Sequence, residues 1–252
     1  MENMDLNDCF ELEDLFPKSF TNFEERSYGI LFFNMQNKDS YDSNHAVIYR
    51  DRIQNVTNVL KDIISFYREK NLTPIIYQST LDRGYFSEIT KEFTDSGFES
   101  WMEEQKFMVL KDENTIIQNR DLTVRRIYSW DQSFEQIFME AEEPWEMEVA
   151  RKSLDDPNTV LWVAYLGDKP IGILYGVKDG NICRGNYVLV SKLHRNAGVG
   201  RTLTYYYVEW CKENNIQKVF LWPDGELPEK IYLEGGFRYA ETVYAGRAVY
   251  RN

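Results

Sequence analysis

Imidazole and thiol chemistry have little to work with in this chain. Its 252 residues include two histidines, His45 and His194, and three cysteines, Cys9, Cys183 and Cys211. Two histidines are too few for a histidine-based metal site or a catalytic triad. The cysteines are odd in number, far apart and unlike any metal spacing. They read as reduced thiols of a cytoplasmic protein, and no metal is expected. Long apolar runs are missing too, since nothing approaches the roughly 18 residues of a membrane span. The opening Met1-Glu2-Asn3-Met4-Asp5-Leu6 is acidic and lacks the basic and apolar regions of a signal peptide. A formal net charge of −12 argues against general nucleic-acid binding. What the chain does have is apolar side chains, 43% of all residues with 15% aromatic, enough for real cores in both halves.

The most informative stretch is Val188-Leu189-Val190-Ser191-Lys192-Leu193-His194-Arg195-Asn196-Ala197-Gly198-Val199-Gly200-Arg201. A β-branched run leads into Arg-x-x-Gly-x-Gly, and a helical stripe of Val199, Leu203, Tyr206 and Trp210 begins inside the glycines. A strand that turns tightly into a helix leaves the first N–H groups of that helix without partners. With the positive end of the helix dipole they suit a phosphate. Gly198 and Gly200 permit unusual dihedrals and let an anion approach where a Cβ would block it. The spacing is not that of a P-loop, because Arg201-Thr202 follows Gly200. Nor is it a dinucleotide fingerprint, because position 203 is Leu. No acidic residue lies between Asp179 and Glu209, whereas Arg184, Lys192, Arg195 and Arg201 all do. A locally cationic loop in an anionic chain fits an anionic ligand.

Downstream, Asn214-Asn215 ends the helix and Lys218-Val219-Phe220-Leu221-Trp222 reads as a buried strand closed by Pro223. A short helix from about Leu227 to Glu234 ends at Gly235-Gly236-Phe237, and a last strand runs from about Arg238 to Tyr250. Upstream, a strand at Leu122–Ile127 precedes two helices around Phe134–Phe138 and Trp145–Leu154. A pair of strands then flanks the polar turn Gly167-Asp168-Lys169-Pro170. The order is β-α-α-β-β-β-α-β-α-β.

Two motifs in this order, Arg195-x-x-Gly198-x-Gly200 and Ile231-Tyr232-Leu233-Glu234-Gly235-Gly236-Phe237, resemble the acyl-CoA loop and the Leu-Tyr-x-x-x-Gly-Phe ending of the GNAT superfamily of N-acetyltransferases. The resemblance covers Asp121 to the C-terminus. It implies an α/β fold with a mixed sheet, the acyl-CoA N-acyltransferase fold. It also implies acetyl-CoA as acyl donor and a primary amine of a small molecule or peptide as acceptor. Val188, Leu189, Val190, Arg195, Asn196, Ala197, Gly198, Val199, Gly200 and Arg201 would hold the donor, and Tyr232 would protonate the leaving sulfur. Two departures stand out. The stretch Cys183-Arg184-Gly185-Asn186-Tyr187 has no carboxylate where many members carry a glutamate base. Gly225 also stands where an Asn is common. Because of them, a non-catalytic acyl-CoA-binding module and a structural or partner-binding α/β protein stay open beside the enzyme. Glu140, Glu142, Glu143, Glu146 and Glu148 crowd the junction of the first two helices. They read either as a solvated face or as a lure for a cationic amine.

One such domain needs about 130–150 residues, so a second unit has room. The stripe Val56, Leu60, Ile63, Tyr67, the run Ile75-Ile76-Tyr77 and a helix from about Phe86 to Phe93 ending at Ser96-Gly97-Phe98 echo the second half. Tyr28–Phe33 and His45–Tyr49 supply two preceding strands. The expectation is two tandem copies, the first truncated and lacking a clear first strand: 1–118 degenerate and non-catalytic, 119–252 binding acetyl-CoA. Sliding the helices together sets Asp51 opposite Arg195, Gln54 opposite Gly198 and Val56 opposite Gly200. Sliding on Gly-Phe sets Phe93 opposite Tyr232. The first half is more acidic, net −9 over residues 1–120 against −3 over 121–252. No membrane or nucleic-acid partner is expected, and a homodimer is compatible with this reading.

Overall fold

The computed structural model describes residues 6–251, so the acidic opening Met1–Asp5 lies outside the described residues. In chain order the elements are α1 (Asn7–Leu15), β1 (Asn22–Arg26), β2 (Gly29–Phe33), β3 (Ala46–Ile48), α2 (Val56–Glu69), β4 (Ile75–Gln78), α3 (Tyr85–Glu88), α4 (Thr90–Asp95) and β5 (Phe98–Leu110). They continue with β6 (Leu122–Arg126), α5 (Glu135–Ala141), α6 (Pro144–Ser153), β7 (Thr159–Leu166), β8 (Lys169–Asp179), β9 (Ile182–Val190), α7 (Val199–Glu213), β10 (Lys218–Leu221), α8 (Glu226–Glu234) and β11 (Phe237–Tyr250). From β6 onward this is the expected order, element for element. The chain forms two compact units. One runs up to Gln105 and takes in the segment from Thr242 onward; the other is Lys106–Glu241.

In the first unit, β1–β2 and β2–β3 pair antiparallel, β3–β4 pair parallel, and Ile75–Tyr77 of β4 pair antiparallel with Arg247–Val249 of β11. Helix α2 forms because Leu60, Ile63 and Tyr67 recur on one face and bury completely, and because Asn55 caps its start. Two expectations need correction. The helix expected over Phe86–Phe93 is two pieces, α3 and α4, interrupted at Ile89. A strand, β1, also precedes the two read from the sequence; it was missed because Asn22-Phe23-Glu24-Glu25-Arg26 is polar and largely exposed. No counterpart of β6 occurs in this unit among the described residues, as the truncation reading expects.

Helix α1 is tied to the end of β4 by a buried carboxyl. Ser79 Oγ donates to Asp14 Oδ2 at 2.5 Å, while Thr80 N and Thr80 Oγ1 donate to Oδ1 at 3.0 and 2.9 Å. Burial outweighs these bonds and pushes the Asp14 carboxyl up from 3.8 to about 7. A raised carboxyl stabilises the fold fully below its unfolded value. That contribution is lost as pH rises from 3.8 to about 7. Asp14→Asn is therefore expected to flatten this decline and to raise stability at neutral pH by about 1–3 kcal/mol. Thermal denaturation across a pH series checks it; an unchanged slope between the two proteins would refute it.

In the second unit, β6–β7, β7–β8 and β8–β9 pair antiparallel, β9–β10 pair parallel, and β10 pairs antiparallel with Met108-Val109 of β5. The run antiparallel, antiparallel, parallel, antiparallel is thus the same from β1 to β11 in the first unit as from β7 to β5 in this one. Helix α7 packs on β7, β8 and β9. Its buried stripe is Val199, Leu203, Tyr207 and Cys211; Tyr206 lies beside it, only partly covered. The i, i+7 reading was off by one residue because three consecutive tyrosines offer the same apolar ring at every phase. All three cysteines are free thiols and buried. Among the described residues no helix is long and apolar enough to cross a membrane, and no group of three acidic, His or Cys side chains could hold a metal ion.

Candidate active site

The site begins where two strands part. β8 follows β9 along its length, with a register shift that leaves Asn186 as an extra residue between the pairs Gly176–Gly185 and Tyr175–Tyr187. β10 pairs with Ile182–Arg184 only. Beyond that point the second edge of β9 pairs with no strand among the described residues, and a cavity of about 650 Å³ opens beside it. Val188, Leu189 and Val190 form one wall. Asn196, Gly198, Val199, Gly200 and Arg201 form the end, and Leu227, Ile231 and Tyr232 of α8 face them.

The end of the cavity is the start of α7. Its N-cap is Gly198 at φ +75°, a left-handed conformation that glycine takes at no steric cost, and no side chain caps the helix. The first bond of the helix is Thr202 N to Gly198 O. Among the described residues the N–H groups of Val199, Gly200 and Arg201 have no partner. Gly200 itself is helical, contrary to the expectation of an unusual dihedral there. A Cβ at this position would meet nothing closer than 3.8 Å, so the space beside it belongs to the cavity. Asn119, which the sequence did not single out, braces the loop: its N–H donates to Thr202 Oγ1 and its Nδ2 to Ala197 O. Ala197 is exposed and is not among the residues that line the cavity.

The corresponding helix start in the first unit is closed. Asn55 is the N-cap of α2, and its carboxamide accepts the Asn58 N–H at 3.0 Å. Matching the caps shifts the expected register by one, so that Asn55 stands opposite Gly198, Arg52 opposite Arg195 and Thr57 opposite Gly200. No acidic residue replaces the arginine, then; the helix end is instead occupied by its own side chain.

The cationic character of the loop is narrower than the sequence suggests. Arg184 is buried and bonded to Asn186, Lys192 pairs with Glu142, and Arg201 pairs with Glu234 of α8. Of the four, Arg195 is the one that lines the cavity exposed and without such a partner among the described residues.

The opposite end is acidic and aromatic. Tyr187 Oη donates to Glu143 Oε2 at 2.5 Å, so a carboxylate from the α5–α6 turn reaches the strand that lacks one of its own. Burial first, and then this bond, push the Tyr187 hydroxyl far up. Tyr175 Oη likewise donates to Glu146, at 2.7 Å. The glutamate cluster is therefore neither a plain solvated face nor one site. Glu140 holds Ser191 and Lys169, Glu142 holds Lys192, and Glu148 holds Arg151. Only Glu143 of the five lines the cavity, joined there by Trp222 and Asp224. Tyr232 lies in the wall with its ring against Phe237, and its hydroxyl has no hydrogen-bond partner among the described residues. Burial and then the Asp224 charge push it up to about 12, so it keeps its proton at neutral pH. Gly225, the second departure, caps α8 at φ +88°, ψ 173°, a region open essentially to glycine alone.

A mixed sheet with two parallel strands parting beside an uncapped helix start defines an acyl-CoA N-acyltransferase fold. Residues 124–228, less than half of the chain, match the acetyltransferase (GNAT) family model. Solved structures agree on the fold. A GCN5-related N-acetyltransferase from Kribbella flavida covers 100% of this chain and 97% of its own at 11% identity, TM-score 0.69. A functionally unknown conserved protein from Staphylococcus epidermidis covers 96% and 97% at 16% identity, TM-score 0.60. A tandem GNAT protein from the clavulanic acid biosynthesis pathway covers 82% and 76% at 10% identity, TM-score 0.55. No curated protein matches the chain.

Proposed function

We propose that the chain transfers an acetyl group from acetyl-CoA to a primary amine of a small molecule or peptide by direct attack. The observation that carries this reading is the free edge of β9, which leads into three unpartnered N–H groups at the start of α7 with the unbonded Tyr232 hydroxyl across the cavity. The helix start and Arg195 suit a pyrophosphate. The edge of β9 has backbone donors and acceptors free for an extended amide chain and for the thioester oxygen. Tyr232 holds a proton for the departing thiolate. The division of labour that goes with this is a non-catalytic 1–118 and an acetyl-CoA-binding 119–252, a reading supported by the Asn55 cap on α2.

Calorimetry with acetyl-CoA tests it. One molecule per chain is expected to bind. Gly198→Asp is expected to abolish binding by setting a carboxylate beside the pyrophosphate. A Cβ there meets only Asn119 Cβ, at 3.7 Å, and the left-handed φ of +75° costs a side chain about 1–2 kcal/mol, a fraction of a domain's stability, so circular dichroism should report an intact fold. No heat of binding to the native protein, or two molecules per chain, would overturn the proposal.

A further inference from the structure

The first unit has a cavity of its own, about 480 Å³, walled by α1, the start of β2, the connection from β3 to α2 and the turn after β4. Its walls are braced. Asp14 of α1 holds Ser79 and Thr80, and the Arg50 N–H donates to Asp82 Oδ2 at 2.8 Å. In the wall stands Tyr49, only 9% exposed, and its hydroxyl has no hydrogen-bond partner among the described residues. That oxygen is not sealed in, so the cavity is where a partner would reach it. Burial, and then the Asp14 charge, push the hydroxyl far up, so it stays a donor at neutral pH. Arg52 lies over the Tyr49 ring at 4.4 Å and forms no ion pair among the described residues. Glu11 and Asp82 have no basic side-chain partner there either, although their charges and that of Arg52 all act on the one Tyr49 oxygen. The other two cations of the lining are engaged, Lys18 with Glu25 and Arg26 with Glu24 and Asp62.

Opposite charges gathered around one oxygen, yet unpaired with each other, suit a small ligand that carries both signs close together. We propose that this cavity binds a free α-amino acid with an aliphatic side chain. The carboxylate accepts from Tyr49 Oη and from the Arg52 guanidinium, and the ammonium donates to Glu11 and Asp82. Leu15, Ile30 and Leu81 of the same lining offer the side chain apolar contact. The site shares no residue with the cavity beside β9, and it does not rest on the acetyltransferase reading. The unit whose helix start is closed by Asn55 thereby has a ligand of its own.

The test is calorimetry and thermal denaturation of the full chain with three probes. They are L-leucine, leucinamide, which keeps only the positive charge, and N-acetyl-leucine, which keeps only the negative one. Leucine is expected to bind once per chain and to raise the melting temperature by mass action. Each analogue should bind about 10-fold or more weakly, since it leaves one set of charges unmatched. Tyr49→Phe and Arg52→Ala should each weaken leucine about 10–100-fold, roughly the range of a hydrogen bond to a charged group. Glu11→Gln, at an exposed position, should weaken leucine and leave N-acetyl-leucine unchanged. Melting curves without leucine report that the variants fold. The inference is overturned if leucine shows no saturable binding at millimolar concentration or if either analogue matches it. It is overturned as well if leucine affinity survives Tyr49→Phe and Arg52→Ala, which would put the amino acid elsewhere.

Discussion

Gly200→Ala is expected to give a protein that is more stable than its parent and binds acetyl-CoA more weakly. The two effects have separate causes. Gly200 is helical, in the first turn of α7, and glycine there costs about 0.5–1 kcal/mol against alanine. The added methyl would meet Val188 Cγ1, Ile231 Cδ1 and Val190 Cγ2 at 3.8–3.9 Å, ordinary contact, so no neighbour has to move. The protein gains nothing visible from the missing side chain, and the space is of use only to a ligand. A methyl group between the free N–H groups and a phosphate should lower affinity about 10–100-fold, or about 1.4–2.8 kcal/mol. A melting curve and a calorimetric titration measure the two arms. Unchanged affinity would move the anion away from this helix; a drop in stability would mean that the glycine serves packing.

Tyr232→Phe is expected to leave acetyl-CoA affinity in place and lower turnover about 10²–10⁴-fold. Only an oxygen is lost, and that oxygen makes no hydrogen bond to the described protein, so packing against Phe237 survives. Its high proton affinity, set by burial and Asp224, keeps it protonated across the neutral range, and native activity should not fall through any tyrosine ionisation below pH about 11. Steady-state kinetics at saturating acetyl-CoA distinguish the outcomes. Undiminished turnover in the variant would reduce Tyr232 to a packing residue.

Much of the second unit was legible because its signals are local. Gly198 and Gly200 sit beside the stripe they start, and Asn215 and Gly236 end their helices at positive φ. Tyr232 was found through its place four residues before Gly236. What escaped notice is long-range or lacks a pattern. Glu143 was visible only as one of five similar glutamates, and nothing in the sequence tells that its side chain reaches Tyr187, 44 residues away. Asn119 acts by bonds to Ala197 and Thr202, and Asp224 by its charge, neither of which leaves a periodicity to read. β5 was missed for the same reason as β1: the residues from Trp101 to Lys106 are only half covered and do not alternate. Arg201 is a further case: its position in the glycine loop gives no sign that Glu234 of α8 holds its head group.

The membership of β11 in the first unit has a consequence for how the chain is made. Arg247, Ala248 and Val249 cover the edge of β4, and Ala248 is buried in the same core as Leu60 and Ile76. A ribosome delivers these residues after all of the second unit. Until then β4 has an unpaired edge, the kind that recruits strands from other chains. A nascent or truncated chain ending before Thr242 would carry that edge permanently, and a fragment cut at 118 could not finish its own sheet. The unit synthesised first is the one completed last.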